Sequence, residues 1–442
     1  MFTRVIKTVK DTTERLTEAE KIEFVPDLKG EEYALICLFP DVEYQVFDGI
    51  GGAFTEAAAT TLYKMSEKNQ EKILKAYFDE IDGIGYNYCR THINSCDFSL
   101  GNYTYVDEGD QTLESFDISR DRQALIPMIK EAQKYADFKL FASPWSPPAY
   151  MKDSKTMNNG GSLLPEYYPL WAEYFSKYIE EYKKEGIDIF AVTVQNEPKA
   201  VQRWDSCIYT AEQERDFIKF HLGEKMKNLG VEIMFWDHNK ERVYDRAKVM
   251  YDDEVANSYV SGITFHWYSG DHFEQLAITK EKYPDKKLVF SEGCQEHYLD
   301  IESNWHAGER YAHDMIGNFN NHCNAFIDWN MLLNETGGPN HVNNLCDAPI
   351  MADTVNDEVI FNPSYYYIGH MSKFIKLGAK RIGCSKYTDK LDVCAFENPN
   401  GELVVVALNR EDVSMPLNLM LNGEIASGNI PARAIITFVI ER

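Results

Sequence analysis

The stretch Ile189-Phe-Ala-Val-Thr-Val-Gln-Asn-Glu-Pro198 decides the fold. It opens with an unbroken run of apolar and β-branched residues, without the polar alternation of a half-exposed strand. That is how a strand buried on both faces reads. The run ends abruptly in Gln195-Asn-Glu-Pro198. Further on, Thr210-Ala-Glu-Gln213 reads as a capping box, and Ile218, Leu222, Met226 and Leu229 recur at helical spacing before Gly230 stops the helix. A buried strand followed by an amphipathic helix is one unit of a parallel α/β architecture.

The same unit recurs on both sides of this stretch. Eight apolar runs can be read between residues 45 and 332: Val46–Ala53, Tyr86–Ile93, Lys139–Ser146, Ile189–Glu197, Ile233–Asn239, Gly262–Ser269, Lys287–Cys294 and Cys323–Leu332. Amphipathic segments separate them. Eight strand-then-helix units over this length predict a (β/α)₈ barrel. The competing architecture, a doubly wound open sheet, calls for a glycine-rich phosphate turn after its first strand, and Gly49-Ile-Gly-Gly52 lacks that spacing.

The 442 residues exceed what one core usually spans, so a second domain is expected. Residues 379–442 supply it. Leu391–Phe396, the turn Asn398-Pro-Asn-Gly401, Leu403–Leu408 and Ala434–Ile440 follow the pattern of short strands joined by turns. Residues 1–44 mostly lack helical periodicity, although Thr12–Lys21 could form a helix. The predicted organisation is a catalytic barrel over 45–362 and a smaller β-sandwich over 1–44 plus 363–442.

Composition removes several function classes. The formal charge of −25 repels phosphate backbones and anionic membrane surfaces, which argues against nucleic acid as a partner and against stable membrane association. No stretch approaches the roughly 20 apolar residues of a membrane span. The start, Met1-Phe-Thr-Arg-Val-Ile-Lys-Thr-Val-Lys10, shows no signal-peptide pattern, and the nine cysteines stand singly without a Cys-x-x-Cys pair. Reduced thiols and a cytoplasmic location are expected, with a secreted mature form as the other reading.

In a barrel the chemistry stands at the C-terminal ends of the strands. Those ends carry Arg90 and His92, then Asp97; Ser143-Pro-Trp-Ser-Pro-Pro148; Gln195-Asn-Glu-Pro198; Asp237-His-Asn239; His266-Trp-Tyr268; Ser291-Glu-Gly293; and Asp328-Trp-Asn330. Two glutamates, Glu197 and Glu292, stand alone at the ends of the fourth and seventh strands. Two carboxyl groups flanking a bond are what glycoside hydrolysis requires, one to protonate the departing oxygen and one to attack the anomeric carbon. Asn196 could hydrogen-bond a sugar 2-hydroxyl, and Arg90 could keep the nucleophile ionised. Trp145, Trp267, Tyr268 and Trp329 offer flat faces to a pyranose, although barrel mouths also use such residues for packing.

At this point the chain resembles glycoside hydrolase family 30, the group containing glucocerebrosidase. The resemblance is carried by Phe47-Asp-Gly-Ile-Gly-Gly-Ala-Phe-Thr-Glu56, Ser95-Cys-Asp-Phe-Ser99, Ser143–Pro148, Gln195–Pro198, His266–Tyr268, Ser291-Glu292, Asp328–Asn330, Gly337-Gly-Pro-Asn340 and Tyr367-Ile-Gly-His-Met-Ser-Lys-Phe-Ile375. It runs from about residue 45 to the C-terminus. The resemblance implies a retaining enzyme without cofactor or metal, with Glu197 as acid/base and Glu292 as nucleophile. It places Asp97, Trp145, Asn196 and Trp329 against the sugar, with Arg90, His266 and Tyr268 nearby, and it suggests a β-glucosyl unit. The loop Lys199-Ala-Val-Gln-Arg-Trp-Asp-Ser-Cys207 departs from the animal lysosomal enzymes and is closer to bacterial relatives. The lack of a visible export signal and the strongly acidic charge argue against a membrane glycosylceramide as the natural substrate, and the missing signal favours a small imported glycoside or oligosaccharide.

Other readings stay open. β-Xylosides, β-fucosides and β-1,6-glucans are alternative substrates, and an inactive sugar-binding protein is the alternative outside the enzymes. A metal-dependent hydrolase would need His92, His238 and His266 to converge, but no His-x-His or His-Glu-x-x-His spacing supports it. For these histidines, bonds to substrate or to the catalytic carboxylates are expected instead. Cys207 and Cys294, close in sequence to the two glutamates, read as buried thiols rather than nucleophiles.

Overall fold

The computed structural model describes residues 2–297 and 300–441. Met1 and Arg442, at the two ends of the expected sandwich, and Tyr298 and Leu299 in the expected barrel lie outside the described residues. Eight parallel strands close into a barrel: β1 Gly49–Phe54, β2 Tyr88–Ile93, β3 Lys139–Pro144, β4 Ile189–Thr193, β5 Glu232–Asn239, β6 Val260–His266, β7 Lys287–Glu292 and β8 Ala325–Asn330. Each neighbour in sequence is a neighbour in space, and β8 closes on β1. At least one helix follows every strand, as right-handed parallel crossovers require. Tyr88, Phe141, Ala191, Met234, Val289 and Ile327 fill the barrel as one buried cluster. Outside it, the rings of Phe290 and Phe326 stack at 4.0 Å. Truncating either to alanine is expected to cost about 3–5 kcal/mol.

The glycines of the first strand have a packing reason. A Cβ on Gly51 would come within 2.1 Å of the Tyr88 carbonyl oxygen, so only glycine lets β1 lie this close to β2.

The helix after β4 begins at the expected capping box, where Thr210 and Gln213 bond each other's backbone. It ends at Gly230, which has a left-handed φ of 72°. Between Ala211–Phe217 and Gly223–Leu229 it is not one regular helix, because Ile218–Leu222 forms a single widened turn.

The sandwich is woven from both ends of the chain. Phe2–Val9 pairs antiparallel with Ala434–Glu441 over its whole length. Leu35–Val46 is inserted between Lys380–Lys386 and Met415–Leu421. Met415–Leu421 alternates strictly between buried and half-exposed positions, which fixes its register on the core. The core comprises Ile36, Val393, Val405, Leu417, Ile436 and their neighbours. The helix considered for Thr12–Lys21 does not form. Thr17–Glu23 is a strand beside Phe2–Val9. It has a strand partner within reach, and pairing outweighs a weak local helical preference.

The helix Pro363–Ser372 touches both units. It packs along Ile301–Asn320 and also against Phe2–Val9 and Ala434–Glu441. From it, buried His370 reaches two sandwich hydroxyls, Thr437 at 2.8 Å and Thr8 at 2.9 Å.

Candidate active site

Because all eight strands run the same way, their C-terminal ends share one rim, and the polar residues that end them converge there. Arg90, from β2, is fully buried and donates from three nitrogens. Nη1 reaches Glu292 Oε2 at 2.6 Å, Nη2 reaches Asn196 Oδ1 at 2.8 Å and Asp237 Oδ2 at 2.7 Å, and Nε reaches Ser143 Oγ at 3.2 Å. The other oxygen of Glu292 accepts from the Tyr268 hydroxyl at 3.0 Å. Glu197 lies opposite, on the loop leaving β4. His266 Nδ1 stands 3.4 Å from Glu197 Oε1 and 3.8 Å from Glu292 Oε1. An oxygen of Glu197, a ring nitrogen of His266 and an oxygen of Glu292 all lie within 4.8 Å of one another.

Asp237, at the end of β5, was not singled out by the sequence, and it organises the rim from below. Its side chain is fully buried. Arg90 Nη2 and the hydroxyls of Ser143 and Thr193 surround Oδ2 at 2.7–2.8 Å, while Ser291 at 2.6 Å and His266 Nε2 at 3.1 Å meet Oδ1. Nothing in the tripeptide Asp237-His-Asn239 announces this role. The backbone here is strained. Glu197, Trp236 and Asp237 take positive φ values of 47°, 75° and 51°, and the Glu197 amide bonds the Asp237 carbonyl at 2.9 Å. Positive φ in bulky residues costs on the order of 1–3 kcal/mol each and persists where the surroundings over-determine it.

Burial opposes every charge in the cluster, and its partners decide the outcome. Burial raises Asp237, but Arg90 and His266 hold it well below the usual carboxylate range. His266 is lowered by burial, yet the charge of Glu292 and the bonds to Asp237 and Glu197 bring it up to about 9. Glu197 is raised by burial, and its contacts with His266 and His238 draw it back below its ordinary value. Glu292 stays above its ordinary value because of burial and its carboxylate neighbours, although His266 and Arg90 work against that. The group Glu197–His266–Glu292 thus keeps a proton at neutral pH on His266, one contact away from Glu197. Asp97 is pushed up to about 8 by burial and by the charge of Glu292, and it accepts a bond from Asn344 at 3.1 Å.

Of these residues Asp97, Asn196, Glu197, Tyr268 and Glu292 line a cleft of about 570 Å³, whereas Arg90, Asp237 and His266 are fully buried and do not line it. Its floor holds Asp97, Asn196, Glu197 and Glu292, and the rings of Trp145 and Trp329, stacked at 4.9 Å, form one wall. Arg90 lies against both of those rings from behind, at 4.7 and 5.4 Å. Its bond to Asn196 Oδ1 fixes that amide so that the NH₂ group remains for a ligand. Gln202, Trp204, Asn239, Glu296 and Arg310 make the lip. Sequence reasoning did not single out the lip residues, because they come from a loop (Gln202, Trp204), a strand end (Asn239), a two-residue strand (Glu296) and a helix (Arg310), with no spacing signal to link them.

Some expected participants belong elsewhere. Trp267 is buried against Phe290 and Tyr311 and offers no face to the cleft, because its side chain falls on the outer side of β6. His92 does not reach substrate or the glutamates. Its two nitrogens bond the Glu56 amide at 3.1 Å and the Asn94 carbonyl at 2.6 Å, which turns a loop. His238 does line the cleft, with Nε2 3.9 Å from Glu197. Cys207 is buried as expected, but Cys294 is half-exposed and lines the cleft.

Comparison with known proteins agrees with this geometry. Residues 47–375 match the glycosyl hydrolase family 30 TIM-barrel domain, and residues 378–438 match the family's β-sandwich domain. Lysosomal acid glucosylceramidase of Mus musculus is 36% identical over 408 residues, covering 87% of this chain and 79% of that protein. The crystal structure of SrfJ from Salmonella typhimurium superposes over 100% of both chains with a TM-score of 0.97 at 40% identity. The structure of the endo-β1,6-glucanase BT3312 covers 100% of this chain and 99% of its own, with a TM-score of 0.90 at 30% identity.

Proposed function

The chain belongs to glycosyl hydrolase family 30 and is a glycoside hydrolase; from that premise we propose that it removes terminal β-D-glucosyl units with retention of configuration. One observation carries the stereochemical part. Oxygens of Glu197 and Glu292 approach within 4.8 Å. Retaining glycosidases hold their carboxyl groups about 5–5.5 Å apart, whereas inverting ones leave about 6.5–9.5 Å for a water.

In this reading Glu292 is the nucleophile. Arg90 and Tyr268 each hold one of its oxygens by a hydrogen bond, which aims it at the anomeric carbon, and the charge of Arg90 works against the upward pull of burial on its pKa. Glu197 is the acid/base. It receives the proton that His266 keeps 3.4 Å away and delivers it to the departing oxygen, and then, as carboxylate, activates the water that releases the sugar. Asn196 binds the sugar 2-hydroxyl through its free NH₂, Asp97 bonds a further hydroxyl, and the Trp145–Trp329 wall covers the ring face.

The aglycone side supports a hydrophilic leaving group. Gln202, Asn239, Glu296 and Arg310 at the lip suit a second sugar better than a lipid chain, and Trp204 offers it a stacking face. A β-1,6-linked glucan or its fragments is therefore the second reading, consistent with the likeness to BT3312. The test is hydrolysis of aryl β-glucoside, β-xyloside, β-fucoside and β-galactoside beside glucosylceramide and a β-1,6-glucan, with the released anomer followed by NMR. Fastest turnover of the glucoside, with β-glucose appearing first, is the expected result. Initial release of the α-anomer would refute retention.

A further inference from the structure

The lip of the cleft carries a pair of thiols that the glycosidase reading does not use. Cys294 Sγ donates to Cys346 Sγ at 3.5 Å. Both residues line the catalytic cleft. Their backbones are held together, because Gln295–Glu296 pairs antiparallel with Cys346–Asp347, with Glu296 opposite Cys346. Cys294 stands two residues after Glu292, and its sulfur is 3.4 Å from the Tyr268 hydroxyl that bonds Glu292. Between them, the Gly293 carbonyl accepts from the Trp329 amide at 2.9 Å.

We propose that Cys294 and Cys346 are a reversible oxidation site that closes to a disulfide and switches the enzyme off. Hydrogen peroxide is the oxidant. The Cys346 sulfur, acceptor of the thiol–thiol bond, attacks one peroxide oxygen. The O–O bond breaks, one water leaves and Cys346 becomes a sulfenic acid. The Cys294 sulfur then displaces the sulfenic oxygen as a second water, and the S–S bond forms. The two sulfurs together lose two electrons and the peroxide gains them. The hydrogen bond to Cys346 and burial hold the Cys294 thiol well above its usual value, which makes it a poor first attacker on peroxide.

The sulfurs must close from 3.5 Å to about 2.05 Å. That draws Cys294 towards the strand Cys346–Asp347 and away from Tyr268. The Tyr268 hydroxyl loses its neighbour, and Gly293 carries the strain back to Glu292. Inhibition follows from displacing Tyr268 and Glu292, with no need for the disulfide to block the cleft.

The experiment treats the full-length protein with hydrogen peroxide and follows three readouts: free thiols after denaturation, peptide mapping under non-reducing conditions, and turnover of an aryl β-glucoside. The expected result is loss of two thiols, a 294–346 cross-linked peptide, loss of turnover in step with it, and recovery with dithiothreitol. Cys346→Ser, compared with its own untreated rate, is insensitive to peroxide. Absence of the cross-linked peptide overturns the site. Equal inactivation of Cys346→Ser overturns its role, and a complete cross-link with unchanged turnover overturns the switch. The thiol and peptide readouts do not depend on which glycoside is cleaved.

Discussion

Arg90 binds Glu292 and Asp237 through separate amino groups, at 2.6 and 2.7 Å, with all three side chains nearly or fully buried. One guanidinium therefore ties a carboxylate that reacts to one that does not. Asp237 compensates the charge of Arg90 from below and leaves the Nη1 fork for Glu292. Desolvated pairs of this kind repay their burial only when every donor and acceptor is used, and the ring of Ser143, Thr193, Ser291 and His266 around Asp237 meets that condition.

Asp237→Asn should therefore damage catalysis without emptying the cleft. Removing one partner of a buried ion pair costs about 3–5 kcal/mol of stability. Turnover should fall with KM little changed, since Asp237 touches no sugar, and the alkaline limb of the pH profile should move to lower pH because His266 loses an anion that helps it hold its proton. Thermal unfolding together with pH–rate profiles of both proteins checks this. A variant that loses stability yet keeps the wild-type pH profile would reduce Asp237 to a packing role.

Glu197→Ala should lose about 10²–10⁴-fold in turnover of substrates with poor leaving groups. An aryl glucoside with an acidic phenol needs no proton, so its first step survives and the intermediate accumulates. Azide, which needs no general base, should restore turnover and yield β-glucosyl azide. The product's anomeric configuration checks both the role and the retention.

The site's proton makes a statement about stability as well as rate. His266 goes from its ordinary 6.5 up to about 9 in the folded protein. A group that binds its proton more tightly when folded stabilises the fold fully below its unfolded value, and that contribution disappears as pH rises from 6.5 through about 9. The melting temperature should fall over this window together with turnover, as Glu197 loses its proton source. In His266→Gln the fall in melting temperature over the same window should be smaller. An identical decline would assign it to other groups.

His370 carries the opposite sign at the seam between the two units. Burial lowers it from 6.5 to about 3, and both ring nitrogens are engaged by the hydroxyls of Thr437 and Thr8. Its contribution is complete above 6.5 and is lost as pH falls towards about 3, because unfolding then releases an imidazole that takes up a proton. Acid should lower the melting temperature of the wild type more steeply than that of His370→Gln, measured by calorimetry from neutral pH downwards.

The barrel was legible because its signal repeats. Parallel strands buried on both faces read as apolar runs, and the strand ends were readable once the runs were placed, which is how Arg90, Asn196, Glu197, His266, Tyr268 and Glu292 were found before any geometry. Asp237 was visible as a strand end, but its importance lies in partners from five other positions in the chain, and no local pattern encodes that. Trp267 shows the converse. It sits between His266 and Tyr268, both of which face the site, and the pleat turns it away. Thr17–Glu23 was ambiguous because its pairing partner is the N-terminal strand, whose own partner lies at the far end of the chain. The lip residues and the Cys294–Cys346 contact depend on how the segments that follow β4, β7 and β8 meet the end of β5, and this sequence carries no marker for that.

The most direct test of the central claim is trapping with a fluorinated β-glucosyl fluoride, whose glycosyl-enzyme forms faster than it hydrolyses. The account predicts a single added glucosyl unit on the intact protein, carried by the peptide containing Glu292, with glucosylation absent from Glu292→Ala. A label on Glu197 or another carboxylate, or turnover of the reagent by Glu292→Ala at the wild-type rate, would contradict it.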